Sequence, residues 1–175
     1  MKVRGRSFGT AFFILSTISL GVFPLDLAAS PLPATSGAAK HSVARKIVPV
    51  GRIDITRIGL VAPILEGTDA DTLRRAVGHF PRTPLPGHTG NVALAAHRDT
   101  FFKPLRDIRK GDEITLTTAD GCYRYRVDST QVVKPENVEV LDPTPEPILT
   151  LVTCYPFNLR GEHAPERFIV RAHKI

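Results

Sequence analysis

Cys154, His97 and Arg167 are residue types that together can break an amide bond, and each stands at the end of a strand-like run. Cys154 closes the apolar run 148–153, and Pro156 just beyond it cannot continue a central strand. His97 closes the run 91–96 and is followed at once by polar Arg98, Asp99 and Thr100. Arg167 opens the last run, 168–172. Taken singly, a cysteine in an apolar strand is commonly an inert core residue, and a histidine or arginine at a strand end is commonly solvated. Taken together they form a working set. A thiolate attacks a carbonyl, an imidazole protonates the leaving amine, and a guanidinium steadies the developing oxyanion. That chemistry requires the three strand ends to be neighbours.

The elements that must bring them together are short. Residues 52–58 alternate Ile53 and Ile55 with Asp54 and Thr56, a half-buried strand. Thr68 and Asp71 have the spacing of a capping box ahead of Leu73 and Val77, which predicts a helix over 69–77 with Gly78 just past its end. Residues 80–90 hold Pro81, Pro84, Pro86, Gly87 and Gly90 and read as a loop. Residues 113–118 and 122–133 flank Ala119, Asp120 and Gly121, a hairpin signal. Many short strands, one helix and Gly/Pro turns predict a mostly β fold closed as a barrel, not an α/β sheet.

The first 29 residues have a different character. Lys2, Arg4 and Arg6 precede a run of 18 residues, 8–25, without a charge. As a helix this run is about 27 Å long, against a hydrocarbon core of about 30 Å. The pattern is that of a signal anchor or a signal peptide, with small residues at Ala28, Ala29 and Ser30 available for cleavage. It predicts a single-pass protein of the cytoplasmic membrane with its globular part outside. Residues 30–46, with Pro31, Pro33 and no hydrophobic period, form a linker. Residues 47–175 are then one domain, long enough for its own core.

Most of the net charge of +6 belongs to the segment before that domain. Lys2, Arg4, Arg6, Lys40, Arg45, Lys46 and Asp26 all precede it, which leaves the domain about +1. Such a domain, without interleaved basic and aromatic residues, offers nothing to nucleic acid.

The remaining candidates have plainer roles. Cys122 shares a strand face with Arg124 and Arg126 and reads as a bystander thiol, since a bridge to Cys154 would disable the nucleophile. His79, between helix and loop, reads as structural, and His163 as a solvated loop residue. Cys122, Cys154, His97 and His163 lack the close-paired spacing of a zinc site, no acidic cluster suggests calcium, and no cofactor is implied.

Several stretches resemble the sortase family. They are Gly78-His79-Phe80-Pro81, the segment 94–102 around His97-Arg98-Asp99-Thr100, the segment 150–157 around Thr153-Cys154-Tyr155-Pro156, and 164–170 around Glu166-Arg167-Phe168. The likeness runs from Ile53 to the C-terminus, and the His-Arg-Asp-Thr and Cys-Tyr-Pro-Phe stretches are most similar to class D. It implies an eight-stranded sortase barrel with one or two short helices. It implies Cys154 as nucleophile, His97 as acid/base and Arg167 as the arginine facing substrate and oxyanion. Thr153 matches a threonine beside the sorting-signal groove, and Ala96, where relatives usually carry Gly, is read as its neighbour in substrate binding. The activity implied is cleavage of a C-terminal Leu-Pro-x-Thr-type signal through a thioacyl intermediate and transfer to an amine. The implied partners are surface proteins bearing that signal, an amine of a cell-wall precursor or a pilin subunit, and the membrane.

Two other classes compete with this reading. A catalytically silent peptide-binding domain would not need Cys154, His97 and Arg167 together. Another exported cysteine peptidase would show a different order: papain-like enzymes place cysteine before histidine, whereas here it follows by 57 positions. L,D-transpeptidases carry Gly before the nucleophile, and here Thr153 stands there.

Overall fold

The structure is a computed structural model that describes residues 48–158 and 164–175. Eight strands close into a barrel: β1 (Pro49–Ile55), β2 (Leu60–Glu66), β3 (Val77–His79), β4 (Asn91–Ala95), β5 (Glu113–Thr117), β6 (Cys122–Val133), β7 (Ile148–Tyr155) and β8 (Glu166–Lys174). Around the barrel they run β1-β2-β3-β4-β7-β8-β6-β5, with β5 pairing back onto β1. Closure leaves no open edge and lets alternate side chains meet inside. Ile53 and Ile55 of β1, Leu60, Ala62 and Ile64 of β2, and Leu149 and Leu151 of β7 all point into that one core. Phe102, Leu105 and Tyr125 fill it further, and none of the three is exposed at all.

Two pairings are parallel, and each follows from a crossover. The helix α1 (Ala70–Arg75) carries the chain from β2 to β3, so those two strands run the same way. The β5–β6 hairpin lies between β4 and β7 in the chain, so these also run parallel, with Asn91 beside Ile148 and Ala95 beside Val152. β6 serves two neighbours, β5 along its first half and β8 along its second, and a bulge between Val127 and Ser129 bends it from one to the other.

The helix is shorter than its sequence spacing predicts, and its cap is a different residue. The Asp69 carboxylate, not Thr68, accepts from the Asp71 and Thr72 amides. The helix ends at Arg75, and Val77–His79 are already strand. Gly78 is therefore not a helix stop. A Cβ there would lie 2.3 Å from the Gly67 carbonyl oxygen, so glycine permits β3 to pack tightly beside the end of β2.

Among the described residues no helix is long and apolar enough to cross a membrane. The apolar run 8–25, the linker 30–46 and His163 all lie outside the described residues.

Candidate active site

The barrel brings the three strand ends into one row. In β7 and β8, Cys154 and Arg167 are direct cross-strand partners, so their side chains share a face. The separation of His97 and Cys154 is 57 positions, which equals the register offset of the parallel β4–β7 pair, Asn91 beside Ile148. Continued two residues past Ala95, that register sets His97 level with Cys154. The chain keeps to β7 over this stretch. The Ala96 amide donates to the Val152 carbonyl at 3.3 Å, and the Thr153 hydroxyl donates to the Ala96 carbonyl at 2.8 Å. His97 then starts a tight turn in which its carbonyl accepts from the Thr100 and Phe102 amides. Phe102 is wholly buried and fixes the turn to the core.

Alternation along β7 separates Cys154 from the core. Leu149, Leu151 and Thr153 face inward, whereas Cys154 follows Thr150 and Val152 on the outer face and is a half-buried free thiol. Ala96 and Thr153 are 5 % and 2 % exposed. Both lie beneath the row, and their mutual hydrogen bond sets the position of His97 relative to Cys154. Arg167 is half-buried at the start of β8. Its Nη1 donates to the Ala164 and Glu166 carbonyls, which holds the side chain at the strand end.

The second cysteine is remote. Cys122 is exposed and pairs with Thr117 at the far end of β6 from Val133, the residue beside Arg167. Eleven residues of strand, roughly 36 Å, separate those ends. A disulfide to Cys154 would need Cα atoms within about 7 Å.

A cleft of about 470 Å³ opens on the outer side of the barrel at the other end of β4. One wall is residues 80–84, the other is Val138, Leu141, Asp142 and Pro143, and Asn91 forms part of the floor. Cys154, His97 and Arg167 do not line it; its near wall residue Phe80 donates its amide to Ala93, four strand residues from His97, roughly 13 Å. Between the two, the outer faces of β4 and β7 offer Ala93, Ala95, Thr150 and Val152, a floor of small side chains.

Polar side chains hold both walls, and Asn91 and Thr150 among them are buried. Asn91, 1 % exposed, donates from Nδ2 to the Val140 and Asp142 carbonyls and accepts from the Thr150 hydroxyl at 2.6 Å. Arg171 of β8 donates to the same Val140 carbonyl at 3.2 Å. On the opposite wall the Thr83 hydroxyl donates to the Phe80 carbonyl and accepts from the Ala93 amide. The sequence reading missed this framework. Its available signal was two polar residues, Asn91 and Thr150, within otherwise apolar strands: buried polar side chains of that kind need partners.

Among the described residues no group of three His, Cys, Asp or Glu side chains is placed to hold a metal ion.

The comparisons with known proteins agree with this architecture. A family model for the sortase domain matches residues 53–175. Sortase D of Bacillus subtilis is 35 % identical over 126 residues, a match covering 71 % of this chain and 63 % of that protein. The chain therefore spans under two thirds of that relative's length. Among solved structures, the Clostridium perfringens sortase D5 transpeptidase superposes with a TM-score of 0.66 at 32 % identity, covering 73 % of this chain and 79 % of that one. The lid mutant of sortase A from Corynebacterium diphtheriae gives 0.68 at 32 % identity, covering 75 % and 73 %. By domain match, barrel topology and sequence identity, the chain belongs to the sortase family.

Proposed function

We propose that this chain is a membrane-anchored cysteine transpeptidase of the cell envelope. It cleaves a C-terminal Leu-Pro-x-Thr-type signal and passes the acyl group to an amine of a cell-wall precursor or a pilin subunit. The observation that carries this reading is the row of His97, Cys154 and Arg167 across β4, β7 and β8, with a peptide-sized floor leading to it from the cleft.

The acyl-side residues of the signal lie in the cleft, where Phe80, Pro81, Pro84, Val138 and Leu141 suit apolar side chains. The peptide then runs over Ala93, Ala95 and Val152, whose small side chains leave room for a backbone, to reach Cys154. The Cys154 thiolate attacks the threonine carbonyl, and the electron pair moves onto oxygen, where Arg167 donates to it. As the C–N bond breaks, His97 gives its proton to the leaving amine, leaving a thioester on Cys154. An incoming amine attacks that thioester and loses its proton to His97. Expulsion of the Cys154 thiolate restores the starting state. Ala96 and Thr153 act through His97, by fixing its level against Cys154.

Mass spectrometry of the protein with a panel of Leu-Pro-x-Thr peptides tests this. An acyl adduct on Cys154, absent from the Cys154→Ala variant, is the expected result. Equal cleavage by Cys154→Ala would remove Cys154 from the chemistry.

A further inference from the structure

His79 is a buried ionisable residue that the reaction above does not use. It is 1 % exposed at the end of β3, and acceptors surround its ring. Nε2 lies 3.0 Å from the Pro84 carbonyl and 3.1 Å from the Thr83 hydroxyl oxygen. A carbonyl can only accept. The Thr83 hydroxyl places its own proton on the Phe80 carbonyl at 2.8 Å, so toward His79 it too accepts. Nε2 therefore carries a hydrogen. On the other side Nδ1 lies 2.7 Å from the Glu66 carboxylate of β2. The ring thus lies within hydrogen-bond reach of Glu66 on one side and of the loop on the other.

Thr83 and Pro84 line the cleft, and Thr83 also accepts from the Ala93 amide of β4. One ring thus ties β2, through Glu66, to the wall and to the strand that forms the floor. We propose that His79 is a positioning residue for peptide binding: its Nε2–H holds the 80–84 wall at the width that admits the acyl-side residues of the substrate, and Glu66 holds the ring. This rests on the cleft being the peptide site, as proposed above. The wall has few other anchors for its Pro84 end. Apart from those of His79, the hydrogen bonds of residues 80–84 among the described residues are the Phe80 amide on Ala93, the Thr83 amide and hydroxyl on Phe80, and the Ala93 amide on Thr83. They fix Phe80 and Thr83, and Pro84 is fixed through His79.

The test compares two amide replacements in the full chain in detergent. In Gln the side-chain nitrogen reaches where Nε2 stood, and in Asn it reaches only as far as Nδ1. His79→Asn should raise KM for a Leu-Pro-x-Thr peptide about tenfold, with kcat within about twofold, the size expected for losing one buried hydrogen bond to the wall. His79→Gln should restore most of that KM. Nitrogen NMR of the ring should show a hydrogen on Nε2, and the Thr83 amide should exchange faster in His79→Asn than in the wild type. Wild-type KM in His79→Asn, equal KM increases in both variants, or a ring protonated at Nδ1 alone would each overturn the proposal. If the wild-type chain binds no such peptide, the cleft assignment fails instead. The ring proton and the Thr83 exchange rate then still decide whether His79 holds the wall.

Discussion

At the scale of single residues, the proposed mechanism assigns the two arginines on the outer face of β8 different work, Arg167 to chemistry and Arg171 to binding. Arg167 stands beside Cys154, whereas Arg171 pairs with Thr150 four residues back and reaches the Val140 carbonyl of the cleft wall. Arg167→Ala should therefore lower kcat by about 10²–10³-fold, the usual loss for one oxyanion donor. Arg167→Lys should recover little, because an ammonium cannot present the fixed fork of a guanidinium. Arg171→Ala should act on KM instead, by releasing Val140. Steady-state kinetics with melting temperatures as controls separate the two. If Arg167→Ala keeps its turnover while Arg171→Ala loses it, the roles are reversed. The sequence made His97, Cys154 and Arg167 legible because each is a chemically capable residue at the end of a run. It could not display the roles of Asn91, Thr150 and Thr83. Those residues act through carbonyls and amides brought close only by the barrel, such as Val140 and Asp142 beside Asn91.

At the scale of elements, strands with a free alternation were readable and those with a conflicting residue were not. The β5–β6 hairpin falls where its turn residues place it, with β6 covering Cys122–Val133 as expected. β2 was hidden by Pro63, because proline argues against a central strand. It is tolerated where β3 gives no cover: β3 pairs only from Ile64 onward. β3 itself spans three residues, too few for a period to register. Another inter-element link that spacing does not reveal is Arg57, in the short turn after β1, on Asp112 just before β5. The Arg57 hydrogen bond holds the Asp112 carboxyl below the usual carboxylate range, against the opposing effect of burial, with help from the Arg109 amide. A depressed carboxyl stabilises the fold above its unfolded-state value and loses that contribution as pH falls through its folded-state value. Melting curves of the wild type and Asp112→Asn should therefore differ most near neutrality and converge as pH drops below about 4. A difference that stays constant down to pH 2 would show that the carboxylate charge is not what joins these turns.

At the scale of the whole molecule, the barrel and the N-terminal segment make opposite demands on their surroundings. The described domain buries its apolar side chains in one core, and its exposed large hydrophobics, such as Val61 and Val138, are scattered over separate elements. Residues 8–25 have no such core available within their own length and no charge to suit water. In the proposed membrane-anchored reading, this run taken as a helix would measure about 27 Å against a hydrocarbon core of about 30 Å. The same reading puts Lys2, Arg4 and Arg6 on the cytoplasmic side, where basic flanks are retained. Residues 30–46, in that proposed reading, separate the segment from the domain that would meet the peptide and the amine. Full-length protein should accordingly sediment with membranes and resist extraction by salt and carbonate, yet release into detergent. External protease on intact protoplasts should free the barrel while sparing the basic N-terminus. A tag placed before Lys2 should stay protected, and one after Ile175 should be digested or exposed. Recovery of most of the protein in the soluble fraction, with a new N-terminus near Ala29, would show that the segment is a cleaved signal and that the barrel works untethered.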